Sequence, residues 1–410
     1  MKIYDAVVVG GGAAGLFCAG QIALKNKSVA LIEKNEKVGR KLMITGKGRC
    51  NVTNLCDKNE LIDSLTKNKK FMYSAFSMFN AYDTFDFFEN RGVPLKVERG
   101  NRVFPVSDKA VDIVDCLYNF VKEQKVNIIN NIAVDFEAEN GVICAVLLDS
   151  GEKVNCKNVV IATGGKSYPK TGSTGDGYRF AEKFGHSIIK PVGSLVPVNT
   201  DEGLAAMCQG LSLKNTAIKV EDTKSNKIVY TDFGEMLFTH FGLSGPMILS
   251  ASAHMREKGN SRYKIHIDLK PALDSQKLDN RILRDFAENS NKILSNSLTK
   301  LLPFKLIPAI IKYSGLKPDL VVNQITKEQR EALVSSLKDF CFTVTCLRDV
   351  SEAIVTSGGV DCNEIEPKTM RSKKVNNLYF AGEVIDVDAY TGGFNLQIAF
   401  STAYAAANAI

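Results

Sequence analysis

Apolar and polar positions change their rhythm several times along the chain, and each rhythm predicts a different element. Tyr4 to Val9 is a valine-rich apolar run bounded by glycine, the pattern of a buried parallel strand. Ala13 to Leu24 is apolar nearly all round, as in a helix held between layers. Val29 to Ile32 is a second short strand ending at Glu33, which completes a βαβ unit. Residues 71–90 read as a helix, with Phe76, Phe79, Phe87 and Phe88 forming a core stripe. Strands recur from about 126 to 161 between the turns Glu139-Asn140-Gly141 and Asp149-Ser150-Gly151. Val159 to Ala162 is again a buried strand, followed by Thr163-Gly164-Gly165.

Near Pro191 the rhythm becomes alternating, as in Ile218-Lys219-Val220 and Ile265-His266-Ile267-Asp268-Leu269. That pattern predicts an antiparallel barrel or sandwich up to about residue 270. Residues 276–340 read as helical, with Leu278, Ile282 and Phe286 on one face and a capping box from Thr326 to Gln329. Cys341 to Leu347 alternates again, Leu378 to Ala381 is a buried strand, and residues 395–408 form a helix of small residues. The fold class expected is α/β. A Rossmann-type domain comprises 1–190 and 366–410, a β-barrel domain of 191–275 and 341–365 is inserted into it, and 276–340 is a small helical subdomain.

Composition narrows this picture only modestly. Hydrophobic residues make up 45%, which suits a folded protein, and Trp is absent. The net charge of +7 is a mild bias that suits an anionic cofactor. The basic runs Lys67 to Lys70 and Arg371 to Lys374 are short and read as solvated surface, so no nucleic-acid partner is expected. The ten cysteines contain no Cys-x-x-Cys pair, so neither a metal site nor a disulfide framework is expected. No long apolar run predicts a membrane span, and three glycines interrupt the first apolar stretch. The expected setting is a reducing cytoplasm and the expected partner a small-molecule substrate; the oligomeric state is left open.

Gly10-x-Gly12-x-x-Gly15 falls between a predicted strand and a predicted helix. Gly10 permits the tight turn, Gly12 admits a phosphate to the backbone, and Gly15 lets helix and strand pack closely. Ala13 and Ala14 open the helix, whose free amides favour a pyrophosphate. Glu33, at the end of the second strand, is placed to accept hydrogen bonds from a ribose and to repel a 2′-phosphate. Two further glycine segments separate FAD from NAD. One is Ala162-Thr163-Gly164-Gly165, and the other leads from Gly382-Glu383 to Thr391-Gly392-Gly393-Phe394-Asn395. The second ends in a helix start that can face the flavin ring.

These segments resemble the BaiN-like flavoproteins, a family that includes bile-acid enone reductases and aminoacetone oxidases. The resemblance rests on Gly10 to Leu16, Gly39 to Leu42, Thr45 to Asn54, Gly234 to Pro246, Thr356 to Val360 and Leu378 to Ser401. It implies FAD as cofactor. By position, Glu33 and Lys34 would meet the adenosine, Arg40 and Lys41 would lie along the cofactor, and Val134 would flank the adenine. Gly46, Arg49, Cys50 and Asn51 fall in the second glycine-rich stretch and join the expected cofactor set. Gly382 and Glu383 would approach the ribityl chain, and Gly393, Phe394, Asn395 and Leu396 would line the isoalloxazine. Thr45 stands where the family often has Ser, and Ala403 and Ala407 near its common glycines.

The expected reaction is hydride transfer from flavin N5 to a conjugated C=C bond of a steroid-like or bile-acid-like enone. No second Gly-x-Gly-x-x-Gly unit occurs in 190–365, so NADH or NADPH is expected to dock transiently as electron donor. Amine oxidation by O2 is the main alternative. Thiol–disulfide exchange through Cys50 and Cys56 and modification of tRNA are the remoter ones. For a proton donor the candidates are Tyr390, two residues before the Gly392-Gly393 turn, and His240. His266 is expected to face solvent, and His186 and His254 to lack supporting partners.

Overall fold

The computed structural model describes residues 2–255 and 262–410, and the chain divides into two compact units. Residues 256–261 of the expected barrel range lie outside the described residues.

The first unit runs to Ser194 and resumes at Val350. Its centre is a five-stranded sheet in the order Leu378–Phe380, Val159–Ile161, Ala6–Val9, Val29–Glu33, Asn127–Asn130. All neighbours are parallel, with Val160 level with both Val8 and Tyr379. The four apolar runs are buried throughout, as strands covered on both faces should be. The first helix, Ala13–Ala23, is buried on nearly every side. Its Phe17 ring lies 5.0 Å from those of Phe79 and Phe87 and 5.4 Å from that of Phe400 in the last helix, Phe394–Ala409.

The helix expected over 71–90 is two helices, Lys69–Met78 and Ala81–Glu89. Asn80 breaks it: its side chain accepts from the Tyr82 and Asp83 amides and starts the second helix with a capping box. Ile188–Ser194 pairs antiparallel with Val355–Val360, so residues 350–365, expected with the barrel, group with the first unit.

The second unit, Leu195–Asp349, is built on a closed antiparallel barrel. Its strands run in the order Val198–Thr200, Gly242–Ser244, Lys227–Phe238, Ser212–Asp222, Tyr263–Asp268, Phe340–Leu347, and the last pairs back with the first. Phe238, Phe340 and Phe342 fill its core without exposure. The helices Ser275–Ala287, Leu294–Ser297, Ile307–Tyr313 and Lys327–Lys338 lie between its last two strands in sequence. The expected capping box forms, with the Thr326 hydroxyl accepting from the Gln329 amide and the Gln329 side chain accepting from the Thr326 amide.

Candidate functional site

The turn after strand Ala6–Val9 is shaped by what its glycines exclude. Gly10 has φ +108°, and a Cβ there would stand 2.5 Å from the Ala162 carbonyl oxygen. A Cβ on Gly15 would stand 1.8 Å from the Gly10 oxygen, so the helix lies directly on the turn. Gly12 is different: a Cβ there would meet nothing within 4 Å. No side chain caps the first helix, so the amides of Ala13, Ala14 and Gly15 face the open space beside Gly12 without a side-chain acceptor. Glu33 is buried against this turn. One carboxylate oxygen accepts from the Gly11 amide at 2.6 Å; the other accepts from the Asn35 amide at 2.7 Å and side chain at 2.6 Å. Glu33 thus stitches the turn to the second strand, a role that sequence spacing did not reveal.

Beside the turn, the Ala162 amide donates to the Val9 carbonyl at 2.9 Å, which brings Thr163 and Gly164 alongside Gly10. The buried Thr163 hydroxyl has no hydrogen-bond partner among the described residues. Lys34 pairs with Asp176 at 2.7 Å, and the exposed Arg40 donates to Asn35 at 2.9 Å. Lys41 reaches Glu383 and Ser167, both at 2.6 Å. The other Glu383 oxygen accepts from the Thr356 amide at 2.7 Å and the Ser167 hydroxyl at 3.0 Å. Burial opposes ionisation of Glu383, but Lys41, the Thr356 amide and Ser167 outweigh it and hold its carboxyl below the usual range.

The far end of the chain closes the cradle. A Cβ on Gly382 would stand 2.9 Å from the Ala14 Cβ, so this segment touches the first helix where it begins. Gly393, at φ +100°, packs where a Cβ would stand 2.3 Å from the Thr53 oxygen and 2.9 Å from the Asn51 side-chain oxygen. That Asn51 oxygen is buried and has no hydrogen-bond partner among the described residues. The last helix begins at Gly393 with no side-chain cap, and Phe394, Asn395 and Leu396 at its start are only partly buried. Asn395 clamps the preceding turn: it accepts from the Ala389 amide at 3.0 Å and donates to the Ala389 and Tyr390 carbonyls at 2.8 and 3.2 Å. Tyr390, partly buried, is also held through its amide to the Ser64 carbonyl at 3.1 Å.

Two residues that sequence reasoning missed fix this region. Gln397, fully buried, accepts from Thr53 and Thr84 at 2.7 Å and donates to Ser401 at 2.9 Å and the Phe79 carbonyl at 3.2 Å. An uncharged polar residue inside a small-residue helix was the available signal. Lys67, read from sequence as solvated, is largely buried against Asp386 and lies 3.7 Å from Asp388. Burial pushes the Asp386 carboxyl up, against the pull of Lys67.

Other expected residues lie elsewhere or turn aside. Arg49 is engaged with Glu98 and Asp108 and stacks over Phe104 at 4.1 Å, while Gly46 packs a prospective Cβ 3.1 Å from the Asn51 amide. The Val134 carbonyl accepts from Arg179 at 2.9 Å. Cys50 and Cys56 are free and buried, and burial pushes both thiols up to about 12, so neither is poised as a thiolate. His240 is exposed in the second unit, edge-on to Phe241. The remaining histidines correct expectation. His186 is buried between Ser372, 2.7 Å away, and Glu364, 3.2 Å away. His266 bridges Asp339 and Glu221 at 2.7 and 3.1 Å, and His254 stacks on Tyr230.

These features fit FAD. The open face of Gly12 admits a pyrophosphate, two uncapped helix starts present free amides, and the buried Asn51 oxygen beside Gly393 has no hydrogen-bond partner among the described residues. The fold and this cradle define a Rossmann-type flavoenzyme. The family model described as "HI0933-like protein Rossmann domain" matches residues 4–409, and the chain belongs to that family.

The chain is 33% identical to a ribosomal RNA dihydrouridine synthase of Escherichia coli (strain K12), covering 99% of this chain and 98% of that one. It is 34% identical to a protein of the same name from Haemophilus influenzae, over 98% of both chains. It is 29% identical to a 3-dehydro-bile acid delta(4,6)-reductase of Clostridium scindens, again over 98% of both, which bears out the resemblance read from sequence. Among solved structures, 3-ketosteroid-delta4-(5alpha)-dehydrogenase of Rhodococcus jostii RHA1 shares the fold. Its TM-score is 0.53 at 12% identity, with 99% of this chain and 97% of that chain covered.

Proposed function

We propose that this protein is an FAD-dependent reductase of a conjugated C=C bond, and that its substrate is a uracil ring in ribosomal RNA. The observation that carries the reading is the near-complete match, at 33 and 34% identity, to two ribosomal RNA dihydrouridine synthases. The chemistry joins that match to the bile-acid reductase. Uracil C5=C6 is conjugated to the C4 carbonyl, as a steroid C=C is to its ketone, so C6 is the β-carbon and C5 the α-carbon. This puts RNA ahead of the small-molecule enone expected from sequence alone. A 3-oxo steroid-like enone is the second reading, favoured by the 29% match.

FAD, when bound, would offer hydride chemistry at N5 toward the β-carbon, with NADH or NADPH as the source of its two electrons. The chain's own residues do the rest. The Gly10–Gly15 turn and the first helix's amides hold the pyrophosphate, with Glu33 set for the ribose. The Lys41–Glu383–Ser167 network would hold the ribityl chain. The uncapped start of the last helix would offer its positive end to the ring, where charge develops on reduction. Tyr390, fixed by Asn395 at the turn before that helix, donates the proton to the α-carbon.

The test is incubation of in-vitro-transcribed ribosomal RNA with the flavin-loaded protein and NADPH or NADH without oxygen, followed by mass analysis of nucleosides. Conversion of a uridine to dihydrouridine is expected. Consumption of a steroid enone with no change in RNA selects the second reading. Bleaching of the flavin by an amine, and by neither nicotinamide, sinks both. Tyr390→Phe should slow substrate reduction by ~10²-fold or more while leaving flavin content and reduction by NADPH unchanged.

A further inference from the structure

From Asn289 to Pro318 the chain carries five lysines, at 292, 300, 305, 312 and 317, and no acidic residue. With 45 acids in 410 residues, about three would fall in a stretch of this length. The segment folds into one lobe of the second unit. Its ends meet, because the Ser295 amide donates to the Pro318 carbonyl and the Val322 amide to the Lys292 carbonyl. Its leucines and isoleucines, Leu294, Leu298, Leu306, Ile307 and Ile310 among them, turn inward and are buried. All five lysines are therefore left exposed. Lys300 pairs with Glu288 at 2.8 Å, and Lys305 donates only to the Gln209 carbonyl at 3.3 Å. Lys292, Lys312 and Lys317 have no ionic partner among the described residues. Beside Lys305 stands Phe304, the most exposed large hydrophobic residue described, at 78%.

We infer that this lobe docks RNA. Lys292, Lys312 and Lys317, with no ionic partner among the described residues, attract a phosphate backbone. The solvent-facing ring of Phe304, next to Lys305 in sequence, offers a face on which an unpaired base stacks. An ordinary solvated surface interleaves both signs of charge. The inference rests on the RNA-substrate reading, and gives that substrate a second point of attachment, on the second unit.

The test compares the flavin-loaded wild type with K292Q/K312Q/K317Q, K292R/K312R/K317R and F304S, binding transcribed ribosomal RNA across a salt series. For the triple Gln variant the slope of log affinity against log salt should fall by about 2–3, since each phosphate contact contributes about 0.7–0.9. Its affinity at low salt should drop more than tenfold. The Arg variant should bind like wild type, which separates charge from folding. F304S should weaken binding about tenfold with the slope unchanged. Flavin content should be equal in all four. RNA binding that is the same in every variant overturns the lobe and leaves the RNA reading standing. A wild type that binds no RNA overturns both. Lysine-dependent binding to anionic phospholipid vesicles in place of RNA reassigns the lobe to a lipid surface and overturns it too.

Discussion

Gly12 and Gly15 sit three residues apart in one turn, yet a side chain would meet opposite fates at the two positions. At Gly12 a Cβ has open space, while at Gly15 it would collide with the Gly10 carbonyl, which is backbone and cannot swing aside. Gly12→Asp should therefore fold normally, with a thermal midpoint near wild type, and lose flavin at least tenfold, because its carboxylate would occupy the pyrophosphate position. Gly15→Ala should be destabilised by ~1–3 kcal/mol through forced backbone movement. Flavin absorbance per chain and thermal unfolding check both, and a Gly12→Asp protein that keeps its flavin would refute the assignment. These glycines were legible because their spacing encodes a backbone path. The sequence suggests for Glu33 only a ribose-binding role, not its place in the turn. Its bonds to the Gly11 amide and Asn35 depend on how the turn folds back over the strand, which no local pattern records. Gln397 was illegible for a related reason, since three of its four partners, Thr53, Thr84 and Phe79, are more than 300 residues away in sequence.

Asn395 shows how one side chain makes two elements behave as one. It belongs to the last helix but holds both carbonyls and one amide of the segment before it. Asn395→Ala should cost ~1–3 kcal/mol, as three hydrogen bonds are lost and buried backbone groups are left unpaired. Amide exchange should quicken across residues 386–393, and flavin should dissociate several-fold faster with helix content unchanged. If exchange there is unaltered, the clamp is dispensable. At this scale the strands and the last helix were readable from periodicity, because burial on both faces produces continuous apolar runs. The break at Asn80 was not, because the phenylalanine stripe keeps a nearly helical spacing across it while a local cap decides the outcome. Val355–Val360 was drawn into the wrong neighbourhood by sequence position; its partner Ile188–Ser194 lies on the other side of the whole insertion.

Each unit has its own apolar core, and the second is a single stretch, Leu195–Asp349. Its barrel closes on itself, so no strand edge of the barrel depends on the first unit. Residues 195–349 produced alone should unfold in one cooperative step with circular dichroism that shows both helix and strand, and should bind no flavin. A chain that is unfolded in isolation would show that the insertion needs its host. The barrel and its helical insert were foreseeable from the switch between alternating and helical rhythm. The acid-free lobe within it was overlooked because attention falls on where lysines are dense, whereas here the signal is the missing negative charge.

The strand Leu378–Phe380 pairs with Val159–Ile161, and the last helix seals the first through Phe400 on Phe17 and Lys25 on the Ala407 carbonyl. In order of synthesis, then, the Gly10–Gly15 turn emerges early, and the strand and helix that pack against its sheet and first helix emerge more than 360 residues later. A chain that lacks them has an open sheet edge at Val159–Ile161 and a first helix stripped of its cover. A chain cut short before residue 378 should therefore be digested by an added protease faster than one that carries the last strand and helix, because its sheet keeps an unpaired edge.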